Sequence, residues 1–243
     1  MLVARGLTAS TKESEALLLA GRVRVGAGDG ARLDRKPGDL LAPDSALELV
    51  ARPRFVSRGG EKLEAALEAF GIDPQSRICL DVGASTGGFT DCLLRRGAAR
   101  VYALDVGRGQ LAESLRTDPR VVSMERTHAS RLDPSDSRPI SLPERISLAV
   151  IDVSFIPLAR VLAGVLAQLT PNGEIVPLVK PQFEVAASAA PGGVVRDPSV
   201  RRAAVDGLRA HAESLGLIVE GEIQSPLRGP AGNHEFLLHL RRA

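Results

Sequence analysis

The segment Ile78-Cys79-Leu80-Asp81-Val82-Gly83-Ala84-Ser85-Thr86-Gly87-Gly88-Phe89 is an apolar run that ends in a glycine-bearing turn and opens a helix. A strand, a tight turn and a helix in this order make the first crossover of a doubly wound sheet, so this unit restricts the fold more than any other. The pattern around it agrees. A helix over 60–70 precedes a strand Arg77–Val82, a helix 87–96, a strand Arg100–Leu104, a helix 109–116 and a strand 120–124. A strand Ile146–Ile151, a helix 156–169, a strand Glu174–Val179, a helix 199–214 and strands 217–223 and 234–240 complete the chain. This alternation predicts an α/β, Rossmann-like sheet with helices on both faces, and the two consecutive final strands predict an antiparallel edge.

The first 51 residues read differently. TKESEALLLAGRVRV places Ala16, Leu17, Leu19 and Ala20 at near-helical spacing behind a Ser10/Thr11 cap, then alternates through Arg22-Val23-Arg24-Val25. A Gly- and Asp-rich loop, Gly26 to Gly30, and a strand-like Ala46 to Val50 finish a small unit. The expected organisation is therefore an N-terminal module over 1–51, a linker over 52–59 and a large domain over 60–243. The charge is unevenly placed along the chain. Residues 1–58 carry ten basic against seven acidic side chains, net +3, and residues 59–243 carry 21 against 22, net −1. The total of +2 declares no basic partner surface, so a polyanion contact is expected to begin near the N-terminus.

Two cysteines, Cys79 in a strand and Cys92 in a helix, are too few for a disulfide framework, and no metal site is expected. Arg5, Lys12 and Glu13 interrupt any leader-like apolar run, and Ile146–Leu169 contains Asp152, Pro157 and Arg160. These features predict a soluble cytoplasmic chain with no membrane contact.

The turn after the first strand is G-x-x-x-G-G, not the G-x-G-x-x-G that cradles a pyrophosphate. Asp105 follows Gly83 by 22 positions and ends Val101-Tyr102-Ala103-Leu104, where a carboxylate accepts both hydroxyls of an adenosine ribose. Together they favour S-adenosylmethionine over a nicotinamide dinucleotide. The alternative is that the glycines only make a tight turn and Asp105 only caps a helix. The candidate cofactor residues are Asp81, Gly83, Ala84, Ser85, Thr86, Gly87, Gly88, Phe89, Asp105, Val106, His128 and Asp152.

Four ionisable residues fall at the carboxyl ends of strands or beside them: Lys62 after Ser57-Arg58-Gly59-Gly60, Asp152 after Ile151, Lys180 after Val179, and Glu235 before Phe236. A ribose 2′-hydroxyl needs a base, alignment with the methyl donor and nearby positive charge for the developing alkoxide. Lys180 as base with Lys62, Asp152 and Glu235 supplies this set, although each residue singly also reads as a solvated strand-end charge. Asp152-Val153-Ser154-Phe155 lacks the prolines that amino-group methyltransferases carry after this strand, which disfavours base methylation. Phe155 remains available to stack on a base.

The chain resembles the TlyA, or hemolysin A-like, family, in which an S4 RNA-binding domain is joined to an FtsJ-like 2′-O-methyltransferase. Arg5-Gly6-Leu7, Ala20 to Val25, Val56 to Leu63, Leu80 to Thr90, Ile151 to Ile156, Leu178 to Glu184, Gly193 to Asp197 and Gly232 to Phe236 carry the resemblance. It implies a Lys62, Asp152, Lys180, Glu235 tetrad, and ribosomal RNA or ribosomal subunits as partner. It also implies a cytidine target in a bridging helix of large-subunit RNA and, for longer members, a second in the decoding region of the small subunit. A start directly at Leu2-Val3-Ala4-Arg5 makes this chain similar to a short member, so large-subunit RNA is expected. His128 stands where members of the family carry asparagine near the adenine.

With 3% aromatic residues the composition offers no stacking platform, so recognition of folded RNA through phosphates is expected from Arg5, Arg22, Arg24, Arg54, Arg58 and Arg196. Two other readings are a non-catalytic RNA-binding assembly factor and a pore-forming haemolysin; the intact tetrad and the lack of an amphipathic membrane segment weigh against them.

Overall fold

The computed structural model describes residues 1–19, 22–26, 36–50, 54–229 and 231–242. The chain divides into two compact units, Met1–Pro53 and Arg54–Ala243. Most of the Gly26–Gly30 loop and the linker's first two residues lie outside the described residues, as does the expected boundary at residue 51.

In the first unit, α1 (Thr11–Leu19) begins behind Ser10, whose Oγ accepts from the Glu13 amide at 3.2 Å while the Glu13 carboxylate accepts from the Ala9 amide at 2.8 Å. β1 (Val23–Val25) pairs antiparallel with β2 (Leu47–Leu49). Strand alternation buries Val23 and Val25 and turns Arg24 to solvent. Leu2, Val23 and Val25 form a small core with Leu7, Leu17, Leu18, Leu41, Leu47 and Leu49. The helix's inner face runs through Ser14, Leu17 and Leu18; Leu19, expected in the apolar stripe, is 74% exposed because Leu18 takes the inward position.

The second unit opens with α2 (Gly59–Phe70), then β3 (Ile78–Val82), α3 (Gly88–Arg95), β4 (Arg100–Leu104), α4 (Glu113–Arg116) and β5 (Val121–Met124). It continues through β6 (Ile146–Ile151), α5 (Ala159–Gln168), β7 (Leu169–Val179), α6 (Pro181–Glu184), α7 (Pro198–Ser214), β8 (Leu217–Gln224) and β9 (Phe236–Arg242). Seven strands lie in the order β5-β4-β3-β6-β7-β9-β8. Strands β3 to β7 are parallel, and β9 runs antiparallel to both neighbours. The antiparallel strand is thus internal, and β8 is the edge: the chain passes β7, makes the edge strand first and returns through β9 to fill the gap. This is a mixed α/β sheet of the Rossmann-like kind expected from the sequence. Helix 109–116 shortens to α4, and β7 starts five residues early, at Leu169, across an irregularity opposite Ile146–Leu148.

Two apolar layers cover the sheet. Leu80, Val82, Tyr102, Leu104 and Ile151 face α5 and α7, while Cys79, Val101, Leu148 and Val150 face α2 and α3. Every second residue of β3 changes face, so Asp81 shares the α3 side with Cys79 and is fully buried. The strand order reverses at β3, whose neighbours are β4 and β6, and the crevice of such a sheet opens outside the carboxyl ends at that point. Val82, Leu104, Ile151 and Val179 all end there.

Candidate active site

The loop after β3 is held from both sides. The amides of Gly83 and Ala84 donate to the Leu104 carbonyl at 2.8 and 3.1 Å, and the Asp152 amide donates to the Val82 carbonyl at 2.9 Å. Gly83 has φ +88°, and a Cβ there would collide with the Asp152 carbonyl; Gly87 has φ +95°, and a Cβ would collide with Leu115. Both glycines therefore fit the loop closely against protein, a packing reason beside the ligand-approach reason read from the sequence.

Asp105 braces the same loop. Its Oδ2 accepts from the Ser85 amide at 2.8 Å and its Oδ1 from the Gly107 amide at 2.7 Å, which aims the carboxylate across the crevice with lone pairs left on each oxygen. A cavity of about 520 Å³ opens beside it, lined among others by Asp105, Val106, Thr127, His128, Asp152 and Phe155. A second cavity, about 210 Å³, shares Gly83, Ser85 and Asp152 and is walled by Arg58, Lys62, Ala84, Thr86, Gly88 and Phe89. The larger volume is that of a small-molecule site. A carboxylate with free lone pairs in the larger cavity and a glycine turn between the two fit an elongated nucleoside with a polar tail, as S-adenosylmethionine is.

Asp81, a candidate cofactor contact, lies under the loop and on neither cavity wall. Its Oδ2 accepts from Thr90 Oγ1 at 2.7 Å, its Oδ1 has no hydrogen-bond partner among the described residues, and burial pushes its carboxyl up to about 7. His128 caps the short turn Ala129–Leu132: its Nδ1 lies 3.2 Å from the Ser130 amide and 2.9 Å from Ser130 Oγ, which in turn donates to Asp136. It lines the larger cavity while doing so.

The four ionisable residues stand as two pairs. Lys62 Nζ is 2.5 Å from Glu235 Oε2, both nearly sealed from solvent. Lys180 Nζ is 2.6 Å from Asp152 Oδ1 and donates to Ser154 Oγ at 3.0 Å. Glu235 Oε1, the oxygen not paired with Lys62, is buried without a hydrogen bond among the described residues, so that carboxylate keeps acceptor capacity beyond its ammonium. Ser154 is a site residue that the sequence reading misses. Its signal is present in Asp152-Val153-Ser154-Phe155, two positions beyond the strand-end aspartate.

Phe155 is the aromatic side chain that the sequence leaves available to stack on a base. It is 89% exposed on the larger cavity's rim, adopts φ +66°, and lies 5.0 Å from the Phe183 ring at 52°. A left-handed phenylalanine costs on the order of 1–3 kcal/mol, and such strain concentrates at functional sites.

Five of the six candidate RNA-binding arginines already hold protein groups. Arg5 Nη1 donates to the Ser45 carbonyl at 2.5 Å, Arg22 Nε to the Val50 carbonyl at 3.2 Å, and Arg24 pairs with Glu48 at 3.0 Å. Arg54 pairs with Glu64 and stacks over Phe55, and Arg196 reaches the Pro191 carbonyl at 3.4 Å. Arg58 instead lines the smaller cavity beside Lys62.

Residues 55–242 match the family of FtsJ-like methyltransferases. The chain is 48% identical over 243 residues to the 16S/23S rRNA (cytidine-2′-O)-methyltransferase TlyA of Mycobacterium tuberculosis, covering 99% of this chain and 87% of that protein. It is 35% identical over 209 residues to the 23S rRNA (cytidine-2′-O)-methyltransferase TlyA of Campylobacter jejuni, covering 85% and 78%. A solved structure of a hemolysin-named protein from Streptococcus thermophilus superposes with a TM-score of 0.76 at 40% identity, covering 98% of this chain and 84% of the other.

Proposed function

Since the chain belongs to the FtsJ-like methyltransferase family, in its TlyA branch, we propose that it methylates the ribose 2′-hydroxyl of a cytidine in ribosomal RNA. The observation that carries this reading is the Lys180–Asp152 pair at the adjoining ends of β7 and β6, beside both cavities. S-adenosylmethionine, when bound, supplies an electrophilic methyl group on a sulfonium. Asp105 takes the ribose hydroxyls of the cofactor, Val106 and His128 border its adenine, and the 83–88 turn with Arg58 holds the methionine end.

Lys180 in its neutral amine form takes the proton from the substrate hydroxyl and becomes the ammonium, with Asp152 and Ser154 fixing the direction of its nitrogen. Lys62 offers positive charge to the developing alkoxide, and Glu235 holds Lys62 in place inside a buried pair. Phe155, backed by Phe183, stacks on the cytosine of the extruded nucleotide. The N-terminal unit acts as the S4-like RNA-binding module, through the N–H groups of Arg5, Arg22 and Arg24 that make no hydrogen bond among the described residues.

Large-subunit RNA is the substrate favoured here, because the names of both relatives include 23S RNA; the small-subunit site is the second candidate. Ribosomal subunits as partners and a cytoplasmic location go with this reading. No helix among the described residues is long and apolar enough to cross a membrane, so the pore-forming reading has no helical span to rest on.

The deciding experiment incubates the protein with methyl-labelled S-adenosylmethionine and separate small subunits, large subunits and whole ribosomes, then maps the labelled position. Label on a cytidine ribose of large-subunit RNA is the expected result. Label on a base nitrogen or on protein overturns the proposal, and binding without label favours the non-catalytic assembly factor.

A further inference from the structure

The segment that delivers Glu235 is braced on itself and on its neighbour. The Ser225 amide donates to the Glu235 carbonyl at 2.9 Å, Gly229 to the Asn233 carbonyl at 3.0 Å, and Gly232 to the Gly229 carbonyl at 2.8 Å. Gly229 packs so close that a Cβ would lie 2.5 Å from Glu235 Oε1. Asn233, 2% exposed, accepts from the Val195 amide at 2.9 Å and donates to the Gly193 carbonyl at 2.8 Å, tying this loop to the one before α7.

Basic side chains gather on that assembly. Arg228 precedes Gly229 and His234 precedes Glu235. Arg201 Nη1 donates to the carbonyls of Val195 at 3.2 Å and Arg196 at 3.1 Å, which leaves its Nη2 and Nε without a hydrogen bond among the described residues. His234 is hydrogen-bonded to Gln224 at 3.0 Å; partial burial, and then the charges of Arg228 and Arg201, hold its imidazole below the usual range.

Arg202, Arg209 and Arg241 on nearby elements are all neutralised by Glu222 or Glu220. Arg196, Arg201 and Arg228 make no ion pair among the described residues. Asp197 is turned into its own helix cap through Ser199, and Glu235 is committed to Lys62. An uncompensated cluster of guanidinium groups at the edge of the active site fits a polyanion.

We propose that Arg196, Arg201, Arg228 and His234 form a phosphate cradle for the RNA strand entering the active site, and that the 225–235 loop couples this cradle to Glu235. Of the four, Arg196 alone is also a candidate from the sequence. The inference rests on the methyltransferase reading above.

The test compares wild type with the double variant Arg201→Gln/Arg228→Ala and with the control Arg241→Ala, each checked for an unchanged melting temperature. RNA affinity is measured against salt concentration, and steady-state kinetics against ribosomal RNA. The double variant should raise KM for RNA about tenfold or more, keep its affinity for S-adenosylmethionine, and lower the log–log salt slope by about 1–2, near one for each phosphate no longer neutralised. A wild-type KM and slope in the double variant, or an equal fall in the control, overturns the cradle. A wild type that shows the slope difference but transfers no methyl overturns the methyltransferase reading and leaves the cradle standing.

Discussion

Lys180 has two partners that bear on its role in different ways. Asp152 offers charge at 2.6 Å, and Ser154 offers only an oxygen at 3.0 Å, so together they aim the amine rather than merely neutralise it. Lys180→Ala should abolish methyl transfer to ribosomal RNA while S-adenosylmethionine still binds by calorimetry; wild-type turnover in that variant rules out the lysine base. Phe155→Ala should lower kcat/KM for RNA about 5- to 100-fold without changing cofactor affinity, since base–aromatic stacking contributes about 1–3 kcal/mol. Recovery in Phe155→Tyr separates stacking from a folding defect. The tetrad's positions are legible in the sequence because strand ends can be read from apolar runs. Its division into Lys62–Glu235 and Lys180–Asp152 is not, because pairing across 173 residues depends on where β9 enters the sheet. The same blindness covers Arg5 and Arg54, whose partners lie on segments that no spacing rule connects.

Among the elements, those with strong periodicity and a clear stop lie near their expected bounds, as Ile146–Ile151 does without change. Position in the sheet is harder to read. Nothing local in Leu217–Gln224 or Phe236–Arg242 says which of them borders β7, and only long-range pairing places β9 inside. The turn after β3 carries a sharper expectation. Gly87→Val combines a φ of +95° with a collision against Leu115, so it should lower the midpoint of thermal unfolding by at least the equivalent of about 2 kcal/mol and weaken S-adenosylmethionine binding. Full cofactor affinity in a folded Gly87→Val protein would contradict this expectation. At the opposite end of the sheet, Glu174 on β7 accepts from His239 at 2.8 Å and pairs with Arg77 at 2.5 Å. These partners hold its carboxyl down to about 2, from an ordinary value of 4.5. A depressed carboxylate stabilises the fold above its unfolded pKa and loses that contribution as pH falls, here between about pH 5 and about pH 2, on the order of 3 kcal/mol. Glu174→Gln should therefore flatten the acid limb of a denaturant-stability profile and be most costly near neutrality; an unchanged profile removes Glu174 from acid sensitivity.

On the proposed reading the two units divide two tasks, cofactor chemistry and contact with RNA. Charge is near balance in each: Met1–Pro53 hold eight basic against seven acidic side chains, net +1, and Arg54–Ala243 hold 23 against 22, net +1. The second unit contains both cavities and all four ionisable residues of the site, while the first has its own small core of Leu2, Val23 and Val25. Cofactor chemistry should then survive loss of the first unit, and part of the salt-dependent attraction to RNA should not. Residues 54–243 expressed alone are expected to bind S-adenosylmethionine within about twofold of the full chain, a difference below about 0.4 kcal/mol. Their log–log salt slope for ribosomal RNA should fall by at least about 1, because Arg5, Arg22 and Arg24 leave together. Calorimetry and filter binding across a salt series measure the two quantities on the same preparations. An unchanged slope would place RNA recognition entirely on the catalytic unit, where the Arg196, Arg201 and Arg228 cluster is the surface able to supply it.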